Sequence, residues 1–410
     1  LIVTSTRGPQ ALILDYLRTG RGKASDKGGL HHLRPLDLVV GLQQELVTRT
    51  QLDPARVDDV VLGVASQVGE QGANLARTAN LMAGWGATVP GVSVNRFCAS
   101  GIDAVAQVGA RISAGEIQLA VAGGVESVSR VPIFSDEGAL WREPEVIRTV
   151  GSVHMGIAAD LNATVEGWSR EELDAYAVES HTKAARAWAE GAFDDCIVEL
   201  PGGEADAPFA ADELIRPGMT VEAMAALSPA FAGVGAGGQD ALVAAIHPEI
   251  GPLSHLHTVA TSPAMADGAA LLLLGTEAAA EQAGLRPRGR MLASAVCAVD
   301  PVVMLTAGQQ ATEMAIARAG LSPDQIDVFE FAEAFAALCL RFRRDLGAGP
   351  DRMNPNGGTI AMGHAFGATG AIMVGGALSE LERRGGRFGV AAVSGAAGLG
   401  VAVVVERLSG

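Results

Sequence analysis

Two short stretches carry the residues best suited to covalent chemistry. The first, "NRFCASGIDAVAQVGARI" at 95–112, sets Cys98 in a turn of small residues directly ahead of an Ala/Gly-rich helical pattern. A thiol at a helix N-terminus faces the positive end of the helix dipole and free backbone N–H groups, which lower its pKa and stabilise an anion developing beside it. The competing reading is packing, because cysteine is among the most buried residue types. Cys196, Cys297 and Cys339 lie inside helical, mixed or strand-like runs and read as core. The second stretch, "NPNGGTIAMGHAFGATGA" at 354–371, holds His364 among five glycines, a composition that suits backbone pressed against another segment or a ligand. A histidine there can serve a thiol as base or simply bond to backbone carbonyls, and spacing alone leaves both open. Neither stretch has the lysine of a phosphate loop or a dinucleotide fingerprint.

The elements that would position these residues repeat. "LDPARVDDVVLG" at 52–63 resembles "LSPDQIDVFEFA" at 321–332, and each copy leads to a small-residue turn, an Ala/Gly-rich helix and a β run. Two copies of one layout predict an α/β chain of two similar halves packed together. "LAVAGG" and "VAAVSG" lack period-two alternation, as expected of strands covered on both faces. Residues 126–257 carry more charge and proline and read as an inserted lobe, with a helix over "SREELDAYAVESHTKAARAWAEG" that Ser169 and Glu172 cap. Residues 232–257 read as a loop with at most one short helix.

Composition bounds the partners. The 410 residues are 49% hydrophobic, and 30 Lys+Arg against 46 Asp+Glu give a net charge of −16, which argues against nucleic acid or an anionic membrane surface. An anionic ligand would need a local basic site. The four cysteines show no CxxC or Cys/His spacing, so neither disulfides nor a zinc site is expected and a reducing cytoplasm fits. The N-terminus lacks the layout of a signal peptide, and no apolar run is long enough to span a bilayer.

Seven stretches, "NRFCASGIDAV", "AGGVESVSRVP", "HMGIAADL", "ADGAALLLLG", "EFAEAFAA", "NPNGGTIAMGHAFGATGA" and "SGAAGLGVAVVVER", occur in the order seen in thiolases, across almost the whole chain. The resemblance implies the thiolase fold, a five-layered αβαβα arrangement. It divides the chain into an N-terminal half (1–125 with 258–285), an inserted loop domain that binds coenzyme A (126–257) and a C-terminal half (286–410). It implies an acyl-CoA or 3-ketoacyl-CoA substrate, no cofactor and no metal, and at least a homodimer, with a homotetramer possible through the inserted lobe. Residue by residue, Cys98 matches the nucleophile that takes the acyl group as a thioester. His364 matches the histidine that deprotonates it and helps hold an oxyanion, with Ala365 where proline is usual. The backbone of Cys98 and Ala396 matches an oxyanion hole. Arg216, Leu227 and Phe231 match positions flanking coenzyme A, and His154 and Met155 those lining the pantetheine and acyl channel. Ser262 substitutes for a serine near the pantetheine, because Pro263 stands where that serine is usual. Glu333 and Phe335 are retained in "AEAFA".

Two departures from the family pattern bear on the reaction. The position of the second cysteine, which shuttles the α-proton, is Ser394, and a serine hydroxyl cannot approach the pKa that task needs. Ala332 replaces the Asn or His that fixes a water of the first oxyanion hole, and losing an oxyanion contact costs on the order of 10²- to 10³-fold. The expectation is an acyltransferase with an intact acyl-enzyme step and an impaired Claisen or thiolytic step. The alternatives are a weak acyl-CoA-binding or structural partner of another enzyme, and a CoA-ester hydrolase. An insertion of roughly twenty residues at 232–257, judged against short connections, carries His247, His255 and His257, which read as loop residues or pocket-mouth contacts rather than metal ligands.

Overall fold

The computed structural model describes residues 8–202 and 208–408. The main strands are β1 (Leu12–Thr19), β2 (Asp59–Gly63), β3 (Val92–Val94), β4 (Leu119–Glu126), β5 (Ala266–Gly275), β6 (Gly289–Ala298), β7 (Val328–Phe331), β8 (Phe388–Ser394) and β9 (Leu399–Arg407), with two-residue strands at Gly22–Lys23 and Ile197–Val198 beside β5 and β1. They run in the order β3-β2-β4-β5-β1-β6-β9-β8-β7, with β1 and β6 joined only through Leu12–Arg290 and Ile13–Gly289. The order is nearly a mirror about that narrow seam: β1 answers β6, β5 answers β9, β4 answers β8 and β2 answers β7. Each repeat found in the sequence forms a 3₁₀ turn (Pro54–Arg56, Pro323–Gln325) leading into β2 or β7. β4 and β5 are buried along their whole length, as their unbroken apolar runs require.

The main helices are α1 (Pro35–Thr50), α2 (Ser100–Ser113), α3 (Met155–Glu166), α4 (Arg170–Ala189), α5 (Ala307–Ala319), α6 (Ala336–Leu346) and α7 (Phe366–Arg384). α1 packs outside β1 and β5, α5 packs outside β6 and β9, and α2 and α7 lie together between the half-sheets. This is the expected five-layer order. The central pair approaches backbone to backbone. A Cβ on Gly101 would stand 2.4 Å from the Gly367 carbonyl oxygen, and one on Gly370 2.5 Å from the Ile102 nitrogen. Glycine is therefore required for the N-termini of α2 and α7 to meet, and those termini bring Cys98 and His364 together.

The inserted lobe contributes α3 and α4, with Ser169 and Glu172 forming the expected capping box. Residues 232–257 are more helical than the loop with at most one short helix expected of them. Ala232–Val234, a wide turn over Gly235–Gln239 and Asp240–Ile246 make them helical as far as 246. Gly238, at φ 117, supplies the kink, which only glycine adopts freely. The reason is tertiary: His255 bonds Asp160 of α3 and Asp240, holding the segment against α3. No described helix is long and apolar enough to cross a membrane.

Candidate active site

Cys98 ends a tight turn. The Asn95 side chain accepts from the Phe97 N–H, Phe97 takes a left-handed φ of 49°, and Ser100 Oγ donates to the Phe97 carbonyl at 2.6 Å. The thiol sits two residues ahead of α2 and is 7% exposed. Its acidity departs from the sequence expectation: burial, reinforced by the nearby Glu126 carboxylate, pushes it up to about 12. The backbone N–H groups of Cys98 and Ala396 favour the thiolate and pull the other way without prevailing. The helix terminus does not make this a resting thiolate, because desolvation of a buried anion outweighs a partial charge that falls off within one turn.

His364 is fixed through its backbone. Its N–H donates to the Ala264 carbonyl at 2.7 Å, and its own carbonyl accepts from Ala266 at 3.1 Å. The preceding Gly363 holds φ 99, and a Cβ there would lie 2.7 Å from Ala266 Cβ and Leu214 Cδ1. The ring's Nδ1 bonds Thr369 Oγ1 at 2.8 Å, five residues along the same glycine-rich stretch. Burial, and then the charge of Arg21, lower its pKa to about 3, so the imidazole is neutral across the physiological range. In the tautomer in which Nδ1 donates to Thr369, Nε2 is the basic nitrogen.

One cavity of about 270 Å³ gathers most of the expected residues. Cys98, His154, Met155, Phe231, Ser262, Phe335, His364, Ser394 and Ala396 all line it, together with Ala332. None of its lining residues is Asp, Glu, Lys or Arg. His154 caps α3, accepting the Gly156 N–H at 3.1 Å, and burial lowers its pKa. Its ring lies 5.4 Å from Phe231, which in turn meets Phe335 edge-on at 5.8 Å. Ser262 donates to the Thr258 carbonyl at 2.7 Å.

The structure separates three residues from this group. Glu333 does not line the cavity and is 1% exposed. Its carboxylate accepts from Tyr176 and Ser180 of α4, from Asn354 and from the Ile360 N–H, at 2.7–3.1 Å. It is a cross-link between the inserted lobe and the C-terminal half, with no oxygen left for a ligand, which corrects its assignment as a substrate contact. Arg216 is exposed and Leu227 half-buried, and neither lines the cavity.

Positions 332 and 394 are apolar and saturated respectively. Ser394 Oγ donates to the Leu305 carbonyl at 2.7 Å and accepts from the Gly308 N–H at 2.9 Å. Ala332 presents only a methyl group. His247 bonds Glu249 and Asp300, and His257 bonds Asp160, so these side chains, like His255, are held by carboxylates.

Sequence reasoning missed Glu126, buried at the end of β4, whose carboxylate accepts from the N–H groups of Ala65, Ser66 and Gly367 and from Gln71. It ties α7 to the nucleophile's half. A lone carboxylate ending an otherwise apolar strand was the available signal. The wall residues Ile133, Met265 and Leu305 carried no signal that sets them apart from core.

The model described as "Thiolase, N-terminal domain" matches residues 11–239, and "Thiolase, C-terminal domain" matches 285–407. A 3-ketoacyl-CoA thiolase of Citrobacter koseri is 36% identical over 408 residues, covering 97% of this chain and 99% of that protein. One from Escherichia coli O1:K1 / APEC is 37% identical, covering 97% and 100%. Among solved structures, the acetyl-CoA acetyltransferase of Bacillus anthracis superposes with a TM-score of 0.85 at 30% identity, covering 98% of this chain and 100% of that one.

Proposed function

The chain belongs to the thiolase family and is an acyltransferase of that fold, and from this premise we propose that it works through a thioester on Cys98. The observation that carries the reading is the cavity shared by Cys98, His364 and Ala396, where the backbone N–H groups of Cys98 and Ala396 favour the thiolate. Cys98 Sγ attacks the thioester carbonyl of an acyl-CoA as His364 Nε2 takes the thiol proton. The tetrahedral oxyanion is held by the N–H groups of Cys98 and Ala396, coenzyme A leaves as its thiolate, and His364 returns the proton to it. Because the resting thiol and imidazole are both neutral, the proton moves during attack rather than before it.

The second half-reaction, carbon–carbon bond formation or thiolytic cleavage, is impaired. It needs a group to move the α-proton, and the Ser394 proton is engaged by the Leu305 carbonyl. It also needs an oxyanion donor that the Ala332 methyl cannot supply. The anionic nucleotide of coenzyme A is proposed to meet Arg216 outside the cavity, and the active assembly is proposed to be a homodimer or homotetramer. Incubation with acetyl-CoA followed by intact-mass measurement tests the acylation: a 42 Da gain, on the order of one acetyl group per chain, is expected for the native protein and none for Cys98→Ala. A gain that survives in Cys98→Ala removes the reading.

A further inference from the structure

The cavity at Cys98 has a continuation. A second hollow of about 390 Å³ is walled by Phe134, Leu140, Trp141, Ile147, Val153 and Met304, and Met155 and Ala396 line it as well as the first. A cleft of about 40 Å³ runs between them, sharing Cys98 with one and Phe134 and Trp141 with the other.

This wall is built, not incidental. Phe97 and Phe134 both meet the Trp141 ring edge-on, at 5.6 and 4.8 Å. Phe134 is held at φ 67, a left-handed conformation that a bulky side chain adopts only under constraint. Phe134, Leu140, Trp141 and Ile147 remain half-buried, so their apolar surface in the hollow is left to water. Of the polar lining, Gln239 Oε1 is already taken by the His154 N–H, and Arg142 by Glu137. The chain has only 11 Phe and 4 Trp. Concentrating rings here is what recognition of an apolar group requires.

We infer that the acyl group this enzyme transfers is a large apolar one, extending well beyond acetyl, whose tail lies past Met155 in the Trp141 hollow while its thioester sits at Cys98. The inference rests on the reading of Cys98 as acyl acceptor. An acetyl group ends beside the sulfur and leaves the hollow unused.

The test is the rate of Cys98 acylation by acetyl-, hexanoyl- and decanoyl-CoA, followed by intact mass. Each methylene buried is worth about fourfold, so hexanoyl-CoA should exceed acetyl-CoA by on the order of 10²-fold in rate at equal low concentration. Ile147→Trp, which fills the hollow, should cut the decanoyl-to-acetyl ratio by about tenfold or more. Acetyl-CoA acylating as fast as the longer esters overturns the inference. If no ester acylates Cys98, the reading of Cys98 fails instead, and equilibrium binding to Cys98→Ala decides the inference. Decanoyl-CoA must then bind at least about tenfold more tightly than acetyl-CoA, and equal affinities overturn it.

Discussion

The two sides of the Cys98 cavity are made of different material. On one side the backbone N–H groups of Cys98 and Ala396 favour the thiolate, and they survive any side-chain change that preserves the turns. On the other side stand Ser394 and Ala332, where the chemistry depends on what the side chain carries. Ser394 has turned its hydroxyl onto Leu305 and Gly308, and Ala332 offers a methyl group. The difference teaches that anion stabilisation drawn from the backbone is robust, whereas chemistry drawn from one side chain can be lost with one substitution.

The widest gap between the two sides should appear on removing the base. His364→Ala should slow Cys98 acylation by on the order of 10²- to 10⁴-fold. In the native protein the acylation rate should stay flat from about pH 5 to 8. The sign follows from the two groups: His364 stays unprotonated at any pH above about 3, and the Cys98 thiol stays protonated below about 12. A rate that falls through a midpoint near 6.5 as the pH drops would mean that His364 titrates as an ordinary histidine, and the desolvated pair would have to be abandoned.

Altering the side-chain side gives the next largest effect. Ser394→Cys together with Ala332→Asn should raise thiolytic cleavage of a 3-ketoacyl-CoA by on the order of 10²-fold or more. The pair should exceed either single change, since both groups serve one transition state. Acylation of Cys98 should change little. Vigorous thiolysis by the unaltered chain breaks the comparison outright, because some other group would already be moving the proton.

How much of this was legible in the sequence depended on whether a feature is local. The paired halves followed from the repeated Leu-Pro-Asp segments, and Cys98 and His364 from turns of small residues whose glycines let α2 and α7 touch. The acidity of Cys98 was not legible: its place before a helix pointed down, while burial, a property of the whole fold, pushes the thiol up. Glu333 misled because its motif sits beside the cavity, and only the fold shows that Tyr176, Ser180, Asn354 and Ile360 consume its carboxylate. The sequence allowed one short helix in 232–257 but not its place, since the helix at 240–246 is tied through Asp240 to His255, which bonds Asp160 of α3, 95 residues away in the chain.

The smallest effect concerns that tie, which belongs to neither side of the cavity and therefore tests whether the inserted segment shapes the site. His255 bonds Asp160 through Nδ1 at 2.9 Å and Asp240 through Nε2 at 3.0 Å, and both partners are acceptors when ionised. Both ring nitrogens must then carry protons. Burial opposes the charge, but the bonds to Asp160 and Asp240 prevail and the pKa is raised above its ordinary 6.5. A histidine raised on folding contributes stability that is complete below pH 6.5 and is lost as the pH rises through the higher folded value. Asp160, whose pKa is lowered, acts on the other flank: its contribution is present above the ordinary 3.8 and lost as the pH falls through its folded value. The native melting temperature should therefore decline as the pH climbs above 6.5, and His255→Gln should flatten that decline by removing the titrating group. The shift is expected to be about 2–4 °C, the size of roughly 1 kcal/mol in a large domain. A native decline that His255→Gln leaves unchanged would place the alkaline sensitivity elsewhere, for instance at His247 between Glu249 and Asp300, whose pKa is raised in the same direction.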